Sequence, residues 1–346
     1  MIKKVRTEDA VGFRLCHDMT RIVPEESKGA RFRRGHVVEA EDIPVLLSMG
    51  KEHVLIDNGG NGPEGGLLHE NDGAARLAAL CLNAGLRRSE AVEGKIELSA
   101  EHDGLFRIDR ERFNAVNSVE DIVIAARRSE SPVSAGDKVA GMRVTPLFIG
   151  EERIAEAERL AGGMPLFALL PYTLKTAAVI VTGSEVASGR VKDAFIPLVS
   201  EKLAAYGITV IFKIIVGDGV ERIAAAIAGA RQAKPDILFC TGGMSVDPDD
   251  NTPGAIRQSG AEVVTYGVPV LPGSMFLLGY FADGVPVCGL PGGAVFKRKK
   301  GGILDIVLPR LAARVRMTKK DFILMGEGGY CLGCAECHYP VCPYGK

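Results

Sequence analysis

Three apolar runs, each leading straight into a glycine-bearing loop, constrain what this chain can become. Ala177 to Val181 leads into Thr182-Gly183-Ser184-Glu185, Ile237 to Cys240 into Thr241-Gly242-Gly243, and Val285 to Cys288 into Leu290-Pro291-Gly292-Gly293. Short continuous apolar runs bounded by turn signals read as strands buried on both faces. Helical periodicity fills the intervals: Val191, Ala194, Phe195, Leu198, Val199 and Leu203 recur at helical spacing, and Gly207 ends that run. The alternation predicts strands over 177–182, 209–216, 236–241, 262–265 and 285–290, with helices over 191–206, 219–232, 252–259 and 302–315. Such alternation argues for parallel βαβ units and an α/β fold. In an open parallel sheet the carboxyl ends of the strands share one crevice, so the three loops should converge.

The second loop carries the richest chemistry. Thr241 to Thr252 reads TGGMSVDPDDNT. Two adjacent glycines permit a tight turn and close approach to a ligand. Thr241 and Ser245 bring hydroxyls, while Asp247, Asp249 and Asp250 crowd three carboxylates into four positions. Carboxylates that close repel one another unless a cation neutralises them. The parts suit a phosphorylated ligand held by backbone N–H groups, with Mg²⁺ bridging to the acids. Each acid also has an ordinary reading. Glu185 could be a solvated turn carboxylate, Asp250 or Thr252 could cap the 252–259 helix, Asp218 could initiate a helix, and Asp193 could complement a helix dipole.

TGSE at Thr182 to Glu185, the Gly189…Asp193 pair, Asp218 in VGDG, TGGMSVDPDD, PVLPGSMF at Pro269 to Phe276, and LPGG at Leu290 to Gly293 follow one another within residues 173 to 312. In that order and spacing they resemble the molybdopterin-binding domain shared by the enzymes that finish molybdenum cofactor assembly, although any one alone is weak. The resemblance implies a three-layer α/β/α domain with a mostly parallel sheet, holding the pterin dithiolene and in some members its adenylylated form. It implies catalytic roles for Glu185, Asp218 and Asp250, which would coordinate Mg²⁺. It also implies binding roles for Thr182, Gly183, Ser184, Asp193, Thr241, Gly242, Gly243, Ser245, Pro272, Gly273, Pro291 and Gly292. Asp247 departs from the glycine often found there in the molybdenumtransferases. The run Lys297-Arg298-Lys299-Lys300 reads either as a phosphate grip or as a solvated helix start.

Four regions are expected. Residues 1–57 form a small β-rich module, with strands at Ala10 to Leu15, His36 to Glu39 and Val54 to Ile56 and a helix from Glu41 to Met49. The stretch from Gly35-His36-Val37-Val38 to His53-Val54 resembles a small module that often accompanies molybdopterin domains. A glycine-rich linker, Asp57 to Gly66, opens an α+β middle region over 58–172. There the pattern predicts a helix within Leu68 to Leu86, strands at Lys95 to Leu98 and Val139 to Pro146, and a helix near Val119 to Arg128. The pterin domain spans 173–315, and residues 316–346 form a cysteine-rich tail.

The length of 346 residues fits about two domains. A formal net charge of -1 gives no support for nucleic-acid binding. The start, MIKKVRTEDAVGF, lacks the apolar core of a signal peptide, and the apolar stretch Val268 to Phe281 is broken by prolines and glycines. A cytoplasmic protein with no membrane partner is expected. The six histidines are scattered, and none pairs with serine or cysteine for nucleophilic catalysis.

Cys331, Cys334, Cys337 and Cys342 make C-x2-C-x2-C-x4-C near the end of the chain, while the other cysteines are dispersed. In a chain without an export signal such a cluster favours metal over disulfides. Four thiolates can complete a Zn²⁺ tetrahedron or hold an iron–sulfur cluster. The spacing comes near the ferredoxin pattern, Pro343 included, but the final gap is longer. Zinc, iron–sulfur and an unmetallated tail all stay open. Such a tail is not a standard part of the molybdopterin-binding family.

The expected function is molybdopterin binding with insertion of molybdate or tungstate into adenylylated molybdopterin, the reaction that the molybdenumtransferase resemblance implies. Two alternatives stand beside it: molybdopterin adenylyltransferase, and a non-enzymatic carrier or sensor delivering cofactor to an apo molybdenum or tungsten oxidoreductase. A homo-oligomer is also open. One departure counts against the transferase: its N-terminal motif of serine, aspartate and an Asp-Gly-Tyr run has no match, and only Asp72 in HENDG offers a substitute.

Overall fold

Strand Thr176–Thr182 (β1) is buried at every residue from Ala177 onward, as a strand covered on both faces must be. It pairs in parallel with Thr209–Val216 (β2) on one side and Ile237–Thr241 (β3) on the other. Strand Glu262–Tyr266 (β4) pairs antiparallel with Leu277–Tyr280 (β5), and β5 pairs antiparallel with Pro286–Leu290 (β6), which in turn lies parallel to β3. The sheet order is β2-β1-β3-β6-β5-β4. The computed structural model describes residues 2–23, 27–57, 66–248, 250–292 and 301–345. The linker residues 58–65, Asp249, Gly293 and the Lys297 to Lys300 run lie outside them.

Alternation along the strands divides the core between the two faces of the sheet. Ala177, Val179, Val181, Phe239 and Leu290 join Val199 and Leu203 of helix Phe195–Ala204 (α2) and Ile303, Val307 and Leu311 of helix Ile303–Ala312 (α5). Ala178, Ile180, Leu238 and Val287 join Ile223 and Ile227 of helix Val220–Gln232 (α3) and Ile256 of helix Thr252–Gln258 (α4). The short helix Ser184–Ala187 (α1) follows β1 directly. Helices on both faces of a mostly parallel sheet make this a three-layer α/β/α domain.

Two details depart from the pattern. Helix α2 begins at Phe195 and not at Val191, because the Asp193 carboxylate accepts the Phe195 N–H at 2.8 Å and fixes a cap there. Strand β5 lies outside the expected set; all four of its residues are buried between β4 and β6, but Pro269, Pro272 and Gly273 break the apolar stretch that leads into it and Gly279 interrupts it.

The chain forms two compact units. One comprises Met1–Glu101, Ile108–Arg127 and Ala135–Leu169, and the other His102–Arg107, Arg128–Ser134 and Leu170–Lys346. In the first unit, His53–Asp57 is the central strand between Ile2–Arg6 and Arg14–Leu15, over a core of Leu15, Leu46, Val54 and Ile56. Of the expected strand from Ala10, only Arg14–Leu15 forms, and His36 to Glu39 yields a single bridge from Val37 to Arg14. The expected Leu68 to Leu86 helix is Glu70–Cys81, flanked by short strands at Leu67–His69 and Leu86–Arg88. The expected helix near Val119 is instead strand Ile122–Ala126, alternately buried and exposed and paired with Lys138–Val144. The helix lies earlier, at Arg110–Asn117, because Asp109 caps it by accepting the Arg112 N–H.

Phe239 is fully buried within β3, whereas Ile211 on the edge strand β2 is 46% exposed. Phe239→Ala should cost about 3–5 kcal/mol and Ile211→Ala less than ~0.5 kcal/mol in urea unfolding. Equal midpoints for the two variants would refute the layered core.

Candidate functional site

Val181 of β1, Thr241 of β3 and Leu290 of β6 stand side by side across the sheet. Their loops therefore leave the sheet at one level. The chain passes from β1 outward to β2 and then crosses back to β3, so the crevice between β1 and β3 is a topological switch point.

The Thr241–Asp250 loop is held there by hydroxyls. The Thr252 hydroxyl donates to the Gly242 carbonyl at 2.8 Å and lies 3.0 Å from the Thr182 hydroxyl. Since Thr252 has one proton and gives it to Gly242, Thr182 is the donor of the second bond, forming a buried relay. This closeness explains the double glycine. A Cβ on Gly242 would collide with the Thr182 carbonyl oxygen, and one on Gly243 would stand 3.0 Å from the Thr252 hydroxyl. Thr252 is thus the first residue of α4 and a loop clasp; the helix cap is Asn251. On the far side of the loop, the Tyr266 hydroxyl donates to the carbonyls of Met244 and Ser245 at 3.0 and 3.2 Å. Burial, then the charge of Asp250, pushes that phenol upward from its ordinary value.

The other predicted acids fall into different roles. Asp218 accepts the Ser184 N–H at 2.9 Å, and the Ser184 hydroxyl accepts the Asp218 N–H at 3.3 Å. This reciprocal pair ties the loop after β1 to the loop after β2. Asp193 caps α2. Asp250 is half-buried and accepts the Asp247 N–H at 3.1 Å, closing a short turn. Glu185 is exposed on α1, its carboxylate lying 2.8 Å from where a Cβ on Gly183 would stand, with Gly183 at φ 135°. Ser245 is exposed near the tip of its loop. A Cβ on Gly292 would stand 3.1 Å from the Phe195 ring, so the Pro291-Gly292 loop rests on the start of α2.

Pro272 and Gly273 join this rim through β5. Because β5 is antiparallel, its first residue, Leu277, pairs with Gly289 beside Leu290. The turn before β5 therefore sits at the edge where β1, β3 and β6 end. Among the described residues, no three or more His, Cys, Asp or Glu side chains are grouped closely enough to hold a metal ion; this covers the Glu185, Asp218 and Asp250 set and the tail cysteines alike.

The sequence reading missed three contributors. Arg222 lies with its guanidinium over Gly217, 2.6 Å from where a Cβ there would stand, and brings a cation beside Ser184. Tyr266 and the loop-clasping role of Thr252 are the others; Tyr266 belongs to no local motif, and Thr252 closes the motif but meets Thr182 from seventy residues away. One buried hydroxyl, Thr241 Oγ1, has no hydrogen-bond partner in the structure. A ligand acceptor reaching it would remove the penalty of an unsatisfied buried donor.

Residues 178–313 match the family described as "Probable molybdopterin binding domain". That stretch belongs to the molybdopterin-binding domain family. Residues 4–58 match a second family, described as a domain of unknown function. A Bacillus cereus (strain G9842) protein named "competence-damage inducible" is 37% identical over 90 residues, which are 26% of this chain and 22% of that protein. A protein of the same name from Bacillus anthracis (strain CDC 684 / NRRL 3495) matches with the same figures. The chain thus spans about a fifth of the length of these curated relatives. Among solved structures, the molybdopterin biosynthesis enzyme MoaB of Thermus thermophilus is 22% identical, covering 41% of this chain and 96% of its own, with a TM-score of 0.36. The molybdopterin biosynthesis MoeA protein of Pyrococcus horikoshii is 14% identical, covering 91% of this chain and 75% of its own, with a TM-score of 0.33. Among the described residues, no helix is long and apolar enough to cross a membrane.

In this molybdopterin-binding domain the relay predicts a graded response. Thr252→Val keeps the shape but strands the Gly242 carbonyl and leaves the Thr182 hydroxyl only the Thr241 carbonyl at 3.4 Å, and should lose about 1–3 kcal/mol. Thr252→Ser keeps the donor and should lose less than half as much. Calorimetric melting of the two variants decides the matter, and equal losses would mean that the methyl group, not the hydroxyl, holds the loop.

Proposed function

We propose that the crevice between β1 and β3 binds molybdopterin, and that the chain inserts molybdate or tungstate into adenylylated molybdopterin. The observation that carries this reading is the meeting of three glycine loops, Thr182 to Glu185, Thr241 to Asp250 and Leu290 to Gly292, at one level of the sheet within the family-matched segment. Gly183, Gly242 and Gly243 let the loops pack close against Glu185, Thr182 and Thr252, and Thr241 offers a buried hydroxyl in want of an acceptor. Arg222, beside Ser184, is positioned to meet phosphate charge.

Mg²⁺ commonly takes one or two protein carboxylates and completes its shell with phosphate oxygens and water. On those terms two carboxylates suffice. Exposed Glu185 and half-buried Asp250 would hold the ion, while Asp218 is committed to the Ser184 N–H. A bound Mg²⁺ neutralises charge on the phosphates whose linkage is cleaved. The chain's own part is to orient: the Thr182–Thr252 relay and Tyr266 fix the loop that carries Asp250, and the Asp218–Ser184 pair fixes the loop that carries Glu185. AMP and the metal-loaded pterin are the products.

The test is incubation of the pure chain with adenylylated molybdopterin, Mg²⁺ and molybdate. AMP release that depends on molybdate is expected. AMP transfer to molybdopterin from ATP would instead assign the adenylyltransferase, and pterin binding without turnover would assign a carrier. Asp250→Asn keeps an oxygen to accept the Asp247 N–H, so circular dichroism should not change. Loss of the charged contact should slow AMP release about tenfold to a hundredfold. Normal turnover of the variant at saturating Mg²⁺ would leave Asp250 with only its turn-closing role.

A further inference from the structure

The chain closes a ring near its end. The Gly345 N–H donates to the Gly328 carbonyl at 3.0 Å, so residues 328–345 form a closed loop containing Cys331, Cys334, Cys337 and Cys342. Beyond the bridge at Tyr330, the ring carries no helix or strand among the described residues. Its anchors are few. Tyr344 is 3% exposed, and Cys331, Tyr339 and Cys342 lean on the core beneath, whereas Leu332 is 74% and Val341 83% exposed. An irregular segment with so little core of its own needs another source of order, and in small units a structural metal is a common one.

The ring has the means to hold one. Gly333, between Cys331 and Cys334, takes φ 74°, a left-handed conformation that lets the backbone turn back on itself. A Cys-x2-Cys pair on such a turn can present both sulfurs to one centre. Cys334 and Cys337 are exposed, and the spacing to the partly buried Cys342 leaves chain enough to close a fourth ligand.

The ring also grips the site. The Leu271 N–H donates to the Gly329 carbonyl at 2.7 Å and the Cys331 N–H to the Leu271 carbonyl at 2.9 Å. From the other limb the Tyr344 hydroxyl donates to the Pro272 carbonyl at 3.2 Å. The turn before β5 is thus held at two points, one beside the first cysteine and one just after the last. The Cys337 sulfur lies 3.4 Å from where a Cβ on Gly301 would stand, against the segment entering α5.

We propose that Cys331, Cys334, Cys337 and Cys342 ligate a single zinc ion or iron–sulfur cluster, and that this centre braces the Leu271–Pro272 turn at the rim of the crevice. The sulfurs are not yet gathered as a ligand set. Loading therefore tightens the ring, drawing Cys334 and Cys337 in from solvent, and each thiol releases its proton as it binds. Fixing the first and last ligands fixes both limbs that hold the turn.

The experiment compares the full chain, isolated without oxygen, with the double variant Cys334→Ser/Cys337→Ser, whose altered side chains are exposed and should leave the fold intact. Zinc, iron and acid-labile sulfide are measured, with amide hydrogen exchange over residues 269–276. Stoichiometric zinc without sulfide identifies the tetrahedral ion, and iron with matching sulfide identifies the cluster; either, lost in the variant, supports the site. Exchange at Leu271 should rise at least tenfold in the variant while β1 and β3 keep their protection. Equal metal in both proteins, or none in either, overturns the site. Metal lost with unchanged exchange overturns the bracing. Neither readout depends on pterin binding, so failure here is separable from failure of the proposed reaction.

Discussion

Two hydroxyls decide where the crevice can be. Thr182 ends β1 and Thr252 opens α4, and their hydrogen bonds run on to the carbonyl of Gly242. Both side chains are buried, so the relay sits where an unmade hydrogen bond is costly. That cost selects the loop conformation. With Gly242 drawn against the Thr182 carbonyl, the double glycine is a requirement of packing before it is a requirement of ligand binding. The same closeness aligns the loops after β1 and β3, and the remaining elements of the rim are arranged around that pair.

The acids divide along the same line. Asp193 and Asp218 are occupied by backbone N–H groups and set the shape of the chain. Asp250 closes a turn, and Glu185 stands exposed beside a glycine. A carboxylate with a structural duty and one with a ligand duty look alike in a motif, since both sit at loop–helix junctions where N–H donors and phosphates are equally welcome. Their partners separate them.

Most of the sheet is legible in the sequence because strands buried on both faces announce themselves as unbroken apolar runs, as in Ala177 to Val181. The convergence of the loops is legible too, because parallel strands with helical crossovers leave little freedom over where their ends lie. Local patterns mislead where tertiary pairing overrides them. Ile122 to Ala126 reads locally as helix but alternates as a strand against Lys138–Val144, and β5 hides among prolines and glycines. Tyr266 and Arg222 carry no signal at all. Tyr266 reaches the loop from the far edge strand, and Arg222 acts from the first turn of a helix whose start already satisfies the expected pattern.

The reversal of β5 has an effect on what the fold can tolerate. Turning one strand around moves its leading turn to the functional rim and sends the turn that follows it, Ala282 to Gly284, to the opposite rim. Ala282, Asp283 and Gly284 are exposed there. Chain length can vary between β5 and β6 without disturbing the loops that matter, whereas the same change before β5 would be transmitted to them directly. One rim of the sheet is thus open to grafted peptides or reporter groups, and the other is closed to them by topology.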